Sequence, residues 1–362
     1  MFERLVINSH RGEYTVLFDE DAMTSLNSGD LSGYHFIIDE KVAGLYKNEL
    51  ERIALYKSVL IIEANEENKS LDRLPYYVKH LVSHGVRRNH RLVAIGGGVI
   101  QDIVCFLAAT LLRGVKWFFY PTTLLAQADS CIGSKSSINV GKIKNILGTF
   151  TPPEQIYICT HVLKTLEEDE IRSGIGEMLK VHAIDGPEAF DRIASDYENM
   201  LADFFLMKNY IYRSLEIKKA IIELDEFDKG PRNIMNYGHS FGHAIESATN
   251  FAIPHGIAVS IGMDMANFIA TRLKLTEEGI YEHMHHTLWK NFADFEKIEI
   301  PANKFLSAIS KDKKNTDEKL RLIMPDRNGK IAMHLYPNDF LFQKICTDYL
   351  AYGRLAWKTI RP

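Results

Sequence analysis

"RLVAIGGGVIQD" spans Arg91–Asp102 and holds a change of register. Its first half is a short apolar run with β-branched residues. Its second half passes through three glycines and opens the helical pattern "GVIQDIVCFLAATLLRG". A strand that turns through glycine directly into a helix is the repeating unit of a parallel sheet. The same texture surrounds it. "HFIID" (35–39), "SVLIIEA" (58–64) and "VKWFFYPTT" (115–123) read as buried strands, and "SLDRLPYYVKHLVSHG" reads as a helix between two of them. The expected fold class is an α/β N-terminal domain built on a mostly parallel sheet.

The pattern changes after about residue 160. Helical periodicity fills 164–181, 187–226, 238–251 and 257–274, and "LRLIMPDRNGKIAMHL" reads as two strands about an "RNG" turn. Pro152–Pro153 marks a boundary. We therefore expect two domains, 1–155 and 156–362, the second mostly α-helical, with a binding cleft between them.

Composition excludes several classes. The chain has 362 residues, 46% hydrophobic and 25% charged, as in a globular protein that buries its own core. Its net charge of −4 provides no field for a nucleic-acid partner. The four cysteines are scattered, with no metal-type spacing, as expected in a reducing compartment. "MFERLVINSH" has no apolar leader, and no run approaches a membrane span, so the expected location is the cytoplasm, with no membrane partner.

Two constellations carry chemistry. The glycine turn at 96–98 reads equally as a seat for a phosphate, because backbone N–H groups at a helix start face the ligand, and as a tight structural turn. It is not a full dinucleotide fingerprint: with Gly96 and Gly98 as the first two glycines, the third position holds Gln101. Asp102 falls in the first turn of the helix. In "NYGHSFGHAIE" (236–246), His239 and His243 share a helix face at i,i+4, a spacing that can bind zinc and that core histidines also show. "PHGIAV" adds His255 and "SGIGEMLK" adds Glu177. One glutamate with two histidines is a frequent catalytic zinc set. "HMHH" (283–286) reads as a solvated helix face. Lysines and arginines beside these turns suit a substrate with two anionic groups.

"GGGVIQD", "PTTLLAQADS", "GSKSSINVGKIKN", "RSGIGEMLK", "RNIMNYGHSFGHAIE" and "PHGIAVSIGM" follow one another as in 3-dehydroquinate synthases, members of the sugar-phosphate cyclase family. The resemblance covers about residues 36 to 325. It implies a Rossmann-like N-terminal domain that binds NAD and a helical C-terminal domain with a divalent metal, zinc or cobalt. It implies Glu177, His239 and His255 as the metal ligands, with His243 facing the substrate phosphate. Lys135, Asn145, Asn236 and Lys313 match residues that handle substrate, Lys218 and Arg232 match residues at its carboxylate, and Asp129 and Lys180 match residues at the ring hydroxyls. Arg113 resembles an arginine that reaches a neighbouring subunit, which implies a homodimer. The NAD side is Asp39, Glu66, Lys69, Gly97, Gly98, Asp102, Thr122, Thr123, Lys144 and Thr160.

The implied reaction cyclises a phosphorylated seven-carbon keto acid. NAD oxidises a ring hydroxyl, phosphate leaves, the hydride returns, and an aldol step closes the carbocycle. Four positions depart from the family pattern. Gln101 and Ser134 stand at glycine positions, Ile257 stands for a glutamate after "HG", and Lys41 stands for an asparagine near the adenosine. Gln101 is expected to crowd the cofactor or to add a hydrogen bond, and Ile257 to loosen the support of His255. The competing readings are a sister cyclase acting on another sugar phosphate, a metal-dependent polyol dehydrogenase, and a non-catalytic binding relative.

Overall fold

The computed structural model describes residues 4–141, 143–311, 315 and 319–354. They fall into two compact units. The first holds 1–167 with a returning segment, 211–227; the second holds 168–210 and 228–362.

The first unit is built on seven strands, β1 (Arg4–Ser9), β2 (Gly12–Phe18), β3 (Tyr34–Asp39), β4 (Val59–Ile62), β5 (Arg91–Gly96), β6 (Lys116–Pro121) and, after a small hairpin, β9 (Gln155–Ile158). Their order is β1-β2-β9-β6-β5-β3-β4. Every neighbouring pair is parallel except β1 with β2. Helices α1 (Ala22–Ser28), α2 (Glu40–Leu45), α3 (Glu51–Ala54), α4 (Leu74–Ser83) and α5 (Gly98–Thr110) connect them. The central strands read as unbroken apolar runs because both faces are covered: Phe36, Ile37, Ile38, Val93, Ala94, Ile95 and Phe119 are fully buried. The expected break at residue 155 falls at the start of β9. That strand pairs with both β2 and β6, so the first unit runs on to residue 167. The loop at 133–145 contains the hairpin β7 (Ile138–Val140) and β8 (Ile143–Leu147).

The second unit is helical: α6 (Glu168–Asp185), α7 (Pro187–Ser195), α8 (Tyr197–Ala202), the start of α9 (Phe204–Leu224), α10 (His239–Ala248), α11 (His255–Arg272), α12 (Glu278–Phe292), α13 (Ala302–Ser310) and α14 (Phe340–Asp348). The strands β10 (Lys319–Pro325) and β11 (Ile331–Pro337) form the hairpin expected around "RNG". The continuous periodicity read over 187–226 is three helices, broken at Asp196 and Asp203. Asp203 Oδ1 accepts from the N–H groups of Phe205 and Leu206 (2.8 and 3.3 Å), the way an aspartate starts a new helix. Among the described residues, no helix is long and apolar enough to cross a membrane.

The "HMHH" segment is not simply solvated. His283 is exposed and pairs with Asp191, but His285 is buried, with Nδ1 2.9 Å from Asp264 Oδ1. Tyr349 also donates to that aspartate, at 2.7 Å. A buried carboxylate needs such partners, and they draw His285 into the core.

Candidate active site

In the first unit the strand order reverses between β3 and β5, the place where open parallel sheets bind ligands beyond their carboxyl ends. Candidate cofactor residues leave those ends in turn: Asp39 from β3, Glu66 and Lys69 after β4, Gly97, Gly98 and Asp102 from β5, Thr122 and Thr123 from β6, and Thr160 after β9. Asp39 caps α2 by accepting from the Lys41 N–H (3.0 Å). Thr122 N–H donates to Gly96 O (3.0 Å), tying β5 to β6. Gly97 packs on Thr123, and a Cβ there would lie 2.9 Å from its Cγ2. A Cβ on Gly98 would meet nothing within 4 Å. The α5 start is an open backbone cradle of the kind a diphosphate fills, so the corner fits a dinucleotide.

Behind it lies a polar network. Asp102 accepts from the Ser137 N–H (2.9 Å) and hydroxyl (2.8 Å) and from Lys69 Nζ (3.2 Å). Lys69 also donates to Asn145 Oδ1 (3.0 Å) and pairs with Glu66 (3.2 Å). Burial raises the Asp102 carboxyl above its ordinary range despite those partners. Burial also works against the charge of Glu66, but the Asn139 amide and the Lys69 and Lys144 ammonium groups outweigh it and hold that carboxyl low. Ser137 and Asn139 were not foreseen from sequence, although both lie inside the quoted loop. Thr160 gives its hydroxyl to Glu20 (2.8 Å). Gln101 does not face open space: it donates to Ser130 O (2.6 Å) and accepts from the Ser130 hydroxyl (2.6 Å).

Lys218, on α9, donates to Asp129 through both the carboxylate and the carbonyl, the latter at 2.6 Å. These two candidates are thus one buried ion pair. Lys135 forms a bridge with Phe150. Arg113 is exposed at the far end of α5 from the glycine corner, on a turn where Leu112 and Arg113 both take positive φ (52° and 67°).

The second unit gathers Glu177, Lys180, His239, His243 and His255. Glu177 Oε1 lies 3.3 Å from His255 Nε2 and 3.6 Å from His239 Nε2. Lys180, one turn along α6, pairs with the other oxygen of Glu177. Donor atoms of His239, His243 and His255 lie within 4.8 Å of one another. Glycines make this possible. A Cβ on Gly176 would lie 2.1 Å from Gly256 O, and one on Gly256 would lie 1.8 Å from Ser173 O, so α6 and α11 touch backbone to backbone beside Glu177 and His255. Gly262 meets Gly238 O in the same way (2.1 Å), bringing α10 and its histidines onto α11.

The Nδ1 atoms of His239 and His255 are engaged. His239 Nδ1 is 3.2 Å from Tyr237 O, and His255 Nδ1 is 3.3 Å from Glu246 Oε1, which leaves each Nε2 turned toward Glu177. Burial alone would lower the His255 pKa, but the Glu177 and Glu246 carboxylates outweigh it and raise it to about 10. Glu246 was missed in the sequence, yet it sits seven residues after His239, two turns along one helix face. It supplies the carboxylate that Ile257, a buried core residue, does not. Donor atoms of three imidazoles within 4.8 Å of one another, two of them also within 3.6 Å of a Glu177 oxygen, fit a divalent transition metal. Arg232 is buried, and Asn236 donates to Asn233 O (3.0 Å) within the 231–236 turn. Lys313 lies outside the described residues.

Comparison with known proteins gives one consistent result. Residues 59–173 match the model for the 3-dehydroquinate synthase N-terminal region, and 174–315 match that for its C-terminal region. The chain is 36% identical over 294 residues to a 3-dehydroquinate synthase of Clostridium tetani, covering 80% of this chain and 79% of that one. It is 32% identical over 335 residues to a 3-dehydroquinate synthase of Alkaliphilus metalliredigens, covering 91% and 94%. In fold it is similar to a 2-deoxy-scyllo-inosose synthase solved with carbaglucose-6-phosphate, NAD+ and Co2+ (TM-score 0.82, 23% identity, 95% and 99% covered). It is also similar to the 2-epi-5-epi-valiolone synthase of Streptomyces hygroscopicus, solved with NAD+ and Zn2+ (TM-score 0.80, 24% identity, 94% and 97% covered).

Proposed function

The chain belongs to the 3-dehydroquinate synthase family, and on that premise we propose that it cyclises a phosphorylated seven-carbon keto acid with loss of phosphate. The observation that carries the reading is the convergence of the Glu177 carboxylate on the Nε2 atoms of His239 and His255. Glu177, His239 and His255 would hold a divalent cation, which when bound polarises a substrate hydroxyl and stabilises the oxyanion left as its proton departs. Asp39, Gly97, Gly98, Thr122, Thr123 and Thr160, with the Glu66–Lys69–Asp102–Lys144 network, would hold NAD, which supplies a hydride acceptor regenerated in each turnover.

The protein's own groups do the rest. Lys180, paired with Glu177, would donate to a ring hydroxyl of the substrate. Lys218 is restrained by Asp129 and can turn part of its hydrogen bonding to a substrate carboxylate, while Arg232 offers the two-pronged geometry that a carboxylate matches. These two buried cations favour a carboxylate-bearing substrate over a plain sugar phosphate. His243 faces the substrate phosphate, and Lys135, Asn145, Asn236 and, by resemblance, Lys313 handle substrate, where cations can neutralise the leaving group. Arg113, on its exposed turn, is assigned to a partner copy in a homodimer, which light scattering in solution tests.

The decisive experiment is a phosphate-release assay with the keto acid, glucose 6-phosphate and sedoheptulose 7-phosphate, each with and without added NAD and a chelator. Release from the keto acid alone, stopped by the chelator and with no net NADH, supports the proposal. Release from another sugar phosphate moves the chain to a sister cyclase. Net NADH from a simple polyol makes it a dehydrogenase.

A further inference from the structure

The segment that carries Lys135 is tied to 149–151 by backbone hydrogen bonds, from the Thr151 N–H to Ser134 O (2.6 Å) and from the Ser136 N–H to Thr149 O (3.0 Å), and the Ser134 side chain adds a separate tie. Ser134 donates its hydroxyl to Glu226 Oε1 (3.2 Å), just past the end of α9. Glu226 is itself held by His10 on the β1–β2 turn: the His10 N–H donates to Oε2 (2.7 Å) and its Nδ1 lies 2.9 Å from Oε1. Phe227 lies with its ring 5.2 Å from His10 and 5.2 Å from Phe150, the residue bridged to Lys135. The residue before Lys135 therefore rests on Glu226, and the residue paired with Lys135 rests on the adjacent Phe227, both just past the end of α9. The same helix carries Lys218.

Ser134 has φ +66°, the left-handed region where glycine is at ease and a side chain is not. A serine there accepts strain that glycine would avoid. What it gains is the hydroxyl, and that hydroxyl is spent on a carboxylate braced by two further bonds.

We propose that the Ser134–Glu226 contact, braced by His10, is a positioning device that fixes the backbone at Lys135 and so aims its ammonium group at the anionic substrate. This rests on the reading of Lys135 as a substrate contact. Ser134 and Glu226 act through Lys135 and touch no substrate themselves. A strap that only stabilises the loop would change the melting temperature and leave the kinetic constants alone.

The test is a double-mutant cycle on the full chain with NAD and a divalent metal, using Ser134→Gly, Glu226→Ala, the double variant and Lys135→Ala. Each of the first two is expected to lower kcat/KM by about tenfold, mostly through KM, with the double variant no worse than either, because both remove one interaction. Metal content and NAD affinity stay unchanged. Ser134→Gly melts no lower than the parent, since glycine relieves the strained backbone. Full kcat/KM in Ser134→Gly, or strictly additive losses, overturns the proposal. Lys135→Ala separates the two ways of failing: a loss there with none in Ser134→Gly sinks the anchor alone, whereas no loss in Lys135→Ala removes the role of Lys135 and the anchor with it.

Discussion

The Oε1 atom of Glu177 stands 3.3 Å from Nε2 of His255, and the helices that carry them cross where Gly176 and Gly256 leave no room for a side chain. Gly256→Ala would place a methyl group 1.8 Å from Ser173 O, a contact that backbone cannot yield to cheaply. We expect a loss of stability of about 3 kcal/mol, at the upper end of ordinary overpacking. Because the crossing also sets the Glu177–His255 distance, metal binding should weaken in the same variant. Chemical denaturation and metal titration read the two effects. A variant that keeps both stability and affinity would show that the crossing has slack.

Removing a ligand should act differently from opening the crossing. Glu177→Ala and His255→Ala are each expected to abolish stoichiometric zinc or cobalt while leaving the far-ultraviolet circular dichroism unchanged. His283→Ala, whose ring is exposed and paired with Asp191, should keep its metal and serves as the control. Elemental analysis of the purified proteins decides the matter, and full metal in either ligand variant would refute the assignment.

Glu246 meets the metal site at His255 Nδ1. Carboxylates in that position fix the ring's tautomer and direction, and their loss typically weakens metal binding 10- to 100-fold. Glu246→Gln retains the size and one acceptor, so we expect the small end of that range, about tenfold, and Glu246→Ala the large end. Equal affinity in all three proteins, measured by competition with a chelating dye, would leave Glu246 a packing residue.

Much of this was legible in the sequence, for identifiable reasons. The strands around the glycine turn are buried on both faces, so they read as apolar runs with glycine or polar ends. The histidine motif carries its own helical spacing. What stayed hidden depended on contacts far apart in the chain. The strand β9 begins just past a Pro-Pro pair and looks like a boundary, because pairing with β2 and β6 leaves no local mark. His285 looked solvated because its partner, Asp264, lies on another helix. The role of Gly176 and Gly256 is invisible without the crossing that needs them. Asp203, by contrast, carries a local mark: an aspartate ahead of an apolar pattern is a helix start even inside a longer periodic stretch.

The His35 imidazole offers a pH-dependent test remote from the catalytic groups. It is buried, with Nδ1 2.6 Å from Ser58 Oγ and Nε2 3.0 Å from His90 Nδ1. Burial, followed by the charges of His90, His84, His80 and Lys57, lowers its pKa to about 4. Unfolded, it titrates near 6.5. Between those values the unfolded chain binds a proton that the native protein refuses, so stability is full above pH 6.5 and falls as the pH drops toward 4. His35→Gln cannot titrate and should flatten this dependence by up to about one proton. Urea midpoints from pH 7.5 to 4.5 for both proteins give the slope, and parallel curves would mean that His35 carries none of it.

Gln101 provides the last test, because two expectations for it diverge. If it crowded the cofactor, Gln101→Gly would tighten NAD binding. Instead its amide is closed on Ser130 by a hydrogen bond in each direction, at 2.6 Å each. Glycine at this position loses both bonds, at about 1 kcal/mol apiece, and introduces a flexible residue into α5 at about 1 kcal/mol more. The variant should therefore be destabilised by about 2–3 kcal/mol with its NAD affinity unchanged. Calorimetric titration with NAD, run beside urea unfolding, separates the outcomes: tighter binding without loss of stability would mean that the Gln101 side chain serves to narrow the cofactor site.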